Sequence, residues 1–282
     1  MLARMEQEAK RNGGFATFGA AGSPTSAAGS TGATLADTIV PNAPTSTGAS
    51  TVGAPPTVIT LPDVVAKTAV MFVLVVGMAV ISWNLQINYA IIMIAFFGAF
   101  GLGLWASFSR TVRPALYLGY AALMGFALGG ISLWYSTYAT EMNGGKNSNI
   151  VYQAVLGTFA AFAAMLFLYS TRIIKVNSFF VRVMSIALLA YLGIAVFSLI
   201  AAIMGVGEGW GFYGVDGLGI LLCSAGVALA AFSLALDFKA IETAIDVGLP
   251  EQESWRCAFG LVVTLVWLYL ELLRLLAILN RS

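Results

Sequence analysis

Residues 255–279 read WRCAFGLVVTLVWLYLELLRLLAIL, an apolar run that contains only three charged side chains, Arg256, Glu271 and Arg274. A helix of 25 residues would be about 37 Å long at a rise of 1.5 Å per residue. That length exceeds the roughly 30 Å of hydrocarbon in a bilayer. The stretch therefore predicts an α-helix that crosses a membrane.

Six earlier runs have the same character. They predict spanning helices near Val64–Trp83, Tyr89–Phe108, Pro114–Tyr138, Ile150–Ser170, Phe179–Met204 and Leu218–Phe238, with the seventh at Trp255–Leu279. Of the 282 residues, 59% are hydrophobic and 10% are charged, whereas a soluble domain carries about 25% charged residues. The predicted fold class is an all-α integral membrane protein, a bundle of seven transmembrane helices with lipid around it.

The first part of the chain has a different composition. Residues 1–62 are dominated by Gly, Ala, Ser, Thr and Pro, with no aromatic residue after Phe18. Such a segment cannot bury enough apolar surface to offset the entropy lost on ordering. We predict a disordered cytoplasmic tail over 1–62 and a seven-helix membrane domain over 63–282. No apolar segment of sufficient length follows Arg4 and Arg11, so a signal peptide is not expected.

The distribution of Lys and Arg predicts an orientation, because short cytoplasmic segments carry an excess of positive charge. With the N-terminus inside, the outer segments contain only Lys146 and Arg281. The inner segments hold Arg4, Lys10, Arg11, Arg110, Arg113, Arg172, Lys175, Lys239 and Arg256. This asymmetry predicts a cytoplasmic N-terminus and, with seven helices, a C-terminus on the far side of the membrane.

Composition also excludes several classes of function. Histidine is absent, which removes His-based acid–base catalysis and HExxH zinc sites. Cys223 and Cys257 lie in apolar runs, so they are predicted to be buried small hydrophobic residues and not a disulfide or metal site. A net charge of +1 without a basic run argues against a nucleic-acid partner. We expect no enzyme activity, no cofactor and no metal site.

Small residues four apart predict close contacts between helices, since lipid gives membrane helices no hydrophobic drive to associate. The pairs are Gly125 and Gly129, Gly219 and Cys223, and Gly226 and Ala230.

Charged groups inside a bilayer are costly, so each one is a functional candidate. Glu271 and Arg274 are spaced to pair on one helix face. Together with Thr264 and Trp267 they form a polar stripe, which predicts that the last helix lies at the centre of the bundle. Two interpretations of Glu271 and Arg274 stay open, a structural ion pair and a part of a permeation path.

Asp237 is the third candidate, and it has no basic residue three or four positions away. Counting equal distances from the turn near Pro250 places Asp237 level with Thr264. Glu271 lies roughly 10 Å deeper at the helical rise, so a direct pair with Asp237 is not expected. Arg256 or a backbone donor is an alternative partner. A carboxylate removed from water at this position is a candidate proton-sensitive gate.

Three stretches resemble a known family. LDFKAIE at 236–242, TLVWLYLELLRLLAIL at 264–279 and AVLGTFAAFAAMLFLY at 154–169 are similar to the transmembrane Bax-inhibitor-motif proteins, in particular the bacterial Bax inhibitor-1-like branch with a long N-terminal tail. The resemblance covers about residues 61–281. It implies six helices around a central seventh, and pH-sensitive Ca²⁺ leak gated by one aspartate on each of the last two helices.

The resemblance carries the first aspartate onto Asp237 and the second onto Thr264, which has no charge to titrate. Two hypotheses follow. The first is a membrane protein that passes or regulates cations such as Ca²⁺, with Asp237 as its gate. The second is a non-conducting scaffold that binds other membrane proteins, such as proteases or stress-response components. A proton-coupled transporter is disfavoured because no inverted repeat is visible. The resemblance and the lack of eukaryotic targeting signals favour a bacterial plasma membrane.

Overall fold

The computed structural model describes residues 58–85, 87–142, 149–214 and 216–281. These residues form seven long helices and two short 3-10 helices, at Val206–Gly209 and Gly211–Gly214. The long helices are α1 Leu61–Leu85, α2 Tyr89–Phe108, α3 Pro114–Met142, α4 Ile150–Ser170, α5 Ser178–Ile203, α6 Asp216–Asp246 and α7 Glu253–Arg281. No strand occurs among the described residues. The predicted tail lies almost entirely outside them.

All seven long helices are long and apolar enough to cross a membrane. The all-helical, seven-span prediction is therefore confirmed, and the chain is a multi-pass membrane protein. The second and fourth helices begin and end where the sequence predicts. The predicted end of the sixth helix at Phe238 is wrong, because the helix continues to Asp246.

Two features explain the longer α6. Lys239 and Glu242 stay on the helix and pair with each other at 2.8 Å, so their charges do not end it. The chain leaves the helix at Gly248, whose φ of 70° is a left-handed conformation that glycine adopts without steric cost.

Helix α7 lies at the centre of the bundle, as its polar stripe predicts. It packs directly against α1, α3, α4 and α6. Trp267 also reaches Tyr191 of α5, with 5.8 Å between ring centroids. Arg256 donates to the carbonyl of Ser109, the residue that caps α2, over 3.0 Å. The last helix therefore has a neighbour on every side.

Close approach between α1 and α3 depends on glycine. A Cβ atom on Gly125 would lie 2.4 Å from the Val75 carbonyl oxygen, and one on Gly129 would lie 2.2 Å from that of Ala79. These contacts are with backbone atoms, which cannot move aside. The Gly125–Gly129 pair is thus the contact surface between α1 and α3, as the small-residue pattern predicts.

The α6–α7 turn and the α5–α6 connection lie at opposite ends of the bundle, which we call the turn end and the loop end. The start of α1 is tied to the turn end. The Ile59 amide donates to the Leu249 carbonyl at 2.8 Å. Lys67 Nζ donates to Ser254 Oγ at 2.6 Å and pairs with Glu251 at 3.2 Å. The first helix therefore packs beside the last hairpin.

Candidate functional site

Asp237 lies on α6 with its carboxylate directed at α7. A Cβ atom on Gly260 would lie 3.4 Å from Asp237 Oδ1, so the carboxylate lies directly beside this turn of α7. One turn further along α7, the Thr264 hydroxyl lies beside the same carboxylate, close enough to act as its donor. The structure therefore brings together Asp237 and Thr264, the two positions that the hairpin count places level with each other.

The second oxygen of Asp237 has a different environment. Oδ2 is buried and has no hydrogen-bond partner among the described residues. Arg256 does not approach it, because its guanidinium pairs with Glu253 at 3.0 Å and donates to Ser109. A buried acceptor without a donor is costly, more so when it carries charge. The Oδ2 side of the Asp237 carboxylate therefore has no stabilising contact among the described residues.

The two cysteines differ in burial. Cys223 is buried, as predicted, whereas Cys257 is half-buried and close enough to Asp237 for the two to interact electrostatically. Both thiols are free. Cys257 and Thr264 are therefore two α7 residues in the neighbourhood of Asp237.

Glu271 and Arg274 form a second polar cluster, further from the turn. Arg274 Nη1 lies 3.4 Å from Glu271 Oε1, and Trp267 Nε1 donates to the same oxygen at 3.1 Å. Glu271 is only 4% exposed. The predicted pairing on one face of α7 is present, and the polar stripe is turned inward.

Tyrosines from other elements complete this cluster, and the sequence did not indicate them. The Tyr191 hydroxyl lies beside Glu271 Oε2, and the Tyr213 hydroxyl donates to Tyr191 at 3.2 Å. The Arg274 guanidinium lies 4.5 Å from the centre of the Tyr213 ring and near the Tyr135 hydroxyl. Burial raises the pKa of Tyr213, so its hydroxyl stays protonated and able to donate.

Gly226 on α6 makes space for this cluster. A Cβ atom there would lie 2.3 Å from the Tyr191 hydroxyl and 2.8 Å from Glu271 Oε2. The predicted small-residue position therefore admits polar side chains from α5 and α7. No signal in the sequence links Tyr191 or Tyr213 to Glu271, because the three residues lie on different elements.

Within the described residues, no three His, Cys, Asp or Glu side chains come together as a metal site. The α6–α7 hairpin instead carries two separate carboxylates. Glu271 sits in a network that supplies donors to both of its oxygens. Asp237 sits against Gly260 and Thr264 with one oxygen unsatisfied. Of the two, only Asp237 carries an uncompensated negative charge that a proton or a cation could neutralise.

A family model described as Bax inhibitor 1 like matches residues 3–281, nearly the whole chain. No curated protein matches the chain.

Proposed function

The chain belongs to the Bax inhibitor 1 like family, and on that premise we propose that Asp237 gates a path for cations such as Ca²⁺ through this membrane bundle. The observation that carries the proposal is the buried Asp237 Oδ2 atom, which has no hydrogen-bond donor among the described residues. An unpaired carboxylate inside a membrane is costly to keep for packing alone. A role that uses its charge accounts for its presence.

The contact with Thr264 defines how such a gate works. A hydroxyl donates to a carboxylate and accepts from a protonated carboxyl group. The Asp237–Thr264 contact therefore exists in both protonation states. What changes is the charge at Oδ2, and with it the cost of holding α6 against α7. A single carboxylate, rather than a proton shared between two acids, sets the pH response.

The test is Ca²⁺ flux into liposomes that contain the purified protein and an enclosed Ca²⁺ indicator. We expect a flux that differs between acidic and neutral pH in the wild type and is insensitive to pH in Asp237→Asn. Glu242→Gln is the matched control, because Glu242 is an exposed carboxylate on the same helix. Absence of flux at every pH would refute conduction. An unchanged pH response in Asp237→Asn would refute only the gate.

A second candidate function rests on Thr264. The position where the resemblance places an acid holds a residue with no charge, and this favours a scaffold that binds other membrane proteins without conducting. Cross-linking in intact membranes followed by purification distinguishes the two. A defined protein partner together with absent flux supports the scaffold, whereas flux from the purified protein alone rejects it.

The orientation and the membrane also belong to the proposal. We place the turn end in the cytoplasm of a bacterial cell, because Arg110, Arg172 and Lys175 lie in connections at that end. Single cysteines introduced at Arg110 and at Leu218, in a variant with both native cysteines replaced by alanine, test this. A membrane-impermeant maleimide applied to intact cells should label only the Leu218→Cys protein. The opposite pattern would invert the topology.

A further inference from the structure

A cavity of about 450 Å³ lies between α1 and α4, away from both polar clusters. Its back wall consists of α3 and α7. Its mouth is bordered by side chains that face outward, namely Val76, Val80 and Val155, which are 44%, 56% and 36% exposed. Because both bordering helices cross the membrane, this mouth opens sideways into the bilayer. We call this cavity the α1–α4 groove.

The groove has the depth of one leaflet. Along α1 its lining runs from Phe72 to Asn84, about 18 Å at the helical rise. Half of the hydrocarbon core of a bilayer measures about 15 Å. Near the middle of both helices, Phe72 and Phe159 close the groove with their rings 5.6 Å apart. Trp83 lines the other end, at the depth where tryptophan lies among lipid headgroups.

The walls have no hydrogen-bonding group to offer a polar ligand at depth. Ser132 Oγ donates to the Leu128 carbonyl and bonds Tyr269, both at 2.6 Å. Thr158 donates to the carbonyl of Ala154 at 2.8 Å. These are the hydroxyl groups of the lining, and each has a partner inside the protein. The groove is therefore suited to hydrocarbon.

We propose that the α1–α4 groove binds one acyl chain of a phospholipid from the leaflet at the loop end, with its headgroup beside Trp83 and Asn84. The closure at mid-membrane decides against a helix of another protein. The groove ends where the rings of Phe72 and Phe159 lie 5.6 Å apart, so a partner helix about 10 Å wide that crosses the whole bilayer could not follow it. The lipid chain contacts α3 and α7 at the back wall, so it is a structural ligand of the bundle and not only part of its surroundings.

The test uses a phospholipid that carries a photoactivatable diazirine in one acyl chain, in liposomes with the full protein. Peptide mass spectrometry locates the labelled residues. We expect the label to concentrate on the facing parts of α1 and α4, compared with the exposed surface of α5. A label that is distributed uniformly over all the outward surfaces would overturn the proposal.

Two variants on α1 provide the matched comparison. Val76→Trp places an indole in the mouth of the groove and should reduce labelling there several-fold. Val73→Trp adds the same group at a 68% exposed position outside the groove and should leave labelling unchanged. Equal labelling in the two variants would refute the proposal. If Val76→Trp does not fold, Val155→Trp obstructs the mouth from α4 and gives the same comparison. The position of the label and its change in the variants do not depend on ion flux. The result is therefore independent of the flux assay that tests Asp237 as a gate.

Discussion

The α6–α7 hairpin contains two inward-facing carboxylates, the buried Glu271 and the half-buried Asp237, that have different surroundings. Glu271 receives a hydrogen bond from Trp267, pairs with Arg274 at 3.4 Å and lies beside the Tyr191 hydroxyl. Asp237 has the Thr264 hydroxyl beside it, and its Oδ2 atom has no hydrogen-bond partner among the described residues. The same two helices therefore hold one acid that is fully satisfied and one that is not.

Burial alone therefore does not indicate function. A buried charge that is surrounded by donors stabilises the fold, and removing one of its partners destabilises the protein because the charge is then uncompensated. A charge with an unsatisfied oxygen is poorly compensated in the folded state. Glu271 thus has the surroundings of a structural group, and Asp237 has those of a group that responds to protons or cations.

The largest effect should come from Arg274→Met, which leaves Glu271 buried without its cation. We expect a loss of about 3 kcal/mol in the free energy of unfolding, at the lower end of the range for a broken buried pair. Detergent-induced unfolding followed by circular dichroism measures it. Lys239→Met is the control, because Lys239 and Glu242 have the same i,i+3 spacing but are exposed, and it should produce no resolvable change. Equal losses of unfolding free energy in Arg274→Met and Lys239→Met would show that the Glu271–Arg274 pair contributes no more to stability than the exposed pair.

A smaller effect should separate the two glycines that face the carboxylates. Gly226→Ala forces a methyl group against Tyr191 and Glu271 and should destabilise the protein by about 2 kcal/mol. Gly260→Ala meets Asp237 Oδ1 at 3.4 Å, an ordinary contact. It should be neutral or should stabilise by up to about 1 kcal/mol, because alanine is the better helix former. The same unfolding assay compares the two variants. A stable Gly226→Ala protein would mean that the Glu271 cluster is loosely packed.

The smallest effect tests the hydrogen bond to Asp237. Thr264→Val should cost about 1.5 kcal/mol in the wild type, as expected for a hydrogen bond to a charged group. In the Asp237→Asn background the cost should fall below about 1 kcal/mol, the value for a neutral pair. Thr158→Val serves as the control, since Thr158 is equally buried and bonds only its own helix. Its cost should be the same in both backgrounds. A Thr264→Val cost that does not depend on Asp237 would rule out the contact.

Much of the fold was predictable because membrane spans are set by length and polarity alone. Tyr89–Phe108 and Ile150–Ser170 match the structure at both ends, since polar segments border them sharply. The end of α6 is not predictable in this way, because the apolar run stops at Phe238 and the helix does not. Lys239 and Glu242 are good helix formers, and the helix passes through them to Asp246.

The site was predictable only where its residues share one helix or one hairpin. The spacing of Glu271 and Arg274 predicts their pair, and the turn at Pro250 predicts the level of Thr264. Tyr191 and Tyr213 could not be found in this way, because their approach to Glu271 depends on how α5 packs against α6. The missing donor at Asp237 is also a property of the packing. No local pattern shows that Arg256 turns toward Ser109 instead.

The central position of α7 has a consequence for how the bundle assembles. Chains are made from the N-terminus, so the helix at the centre enters the membrane after the six that surround it. The contact between Lys67 and Ser254 spans 187 residues, and such distant contacts form slowly. Until α7 arrives, its neighbours can rest against lipid, because their inner faces are largely apolar. Tyr191 meets Trp267 and Glu271 only after α7 is in place, so these buried contacts are among the last to form.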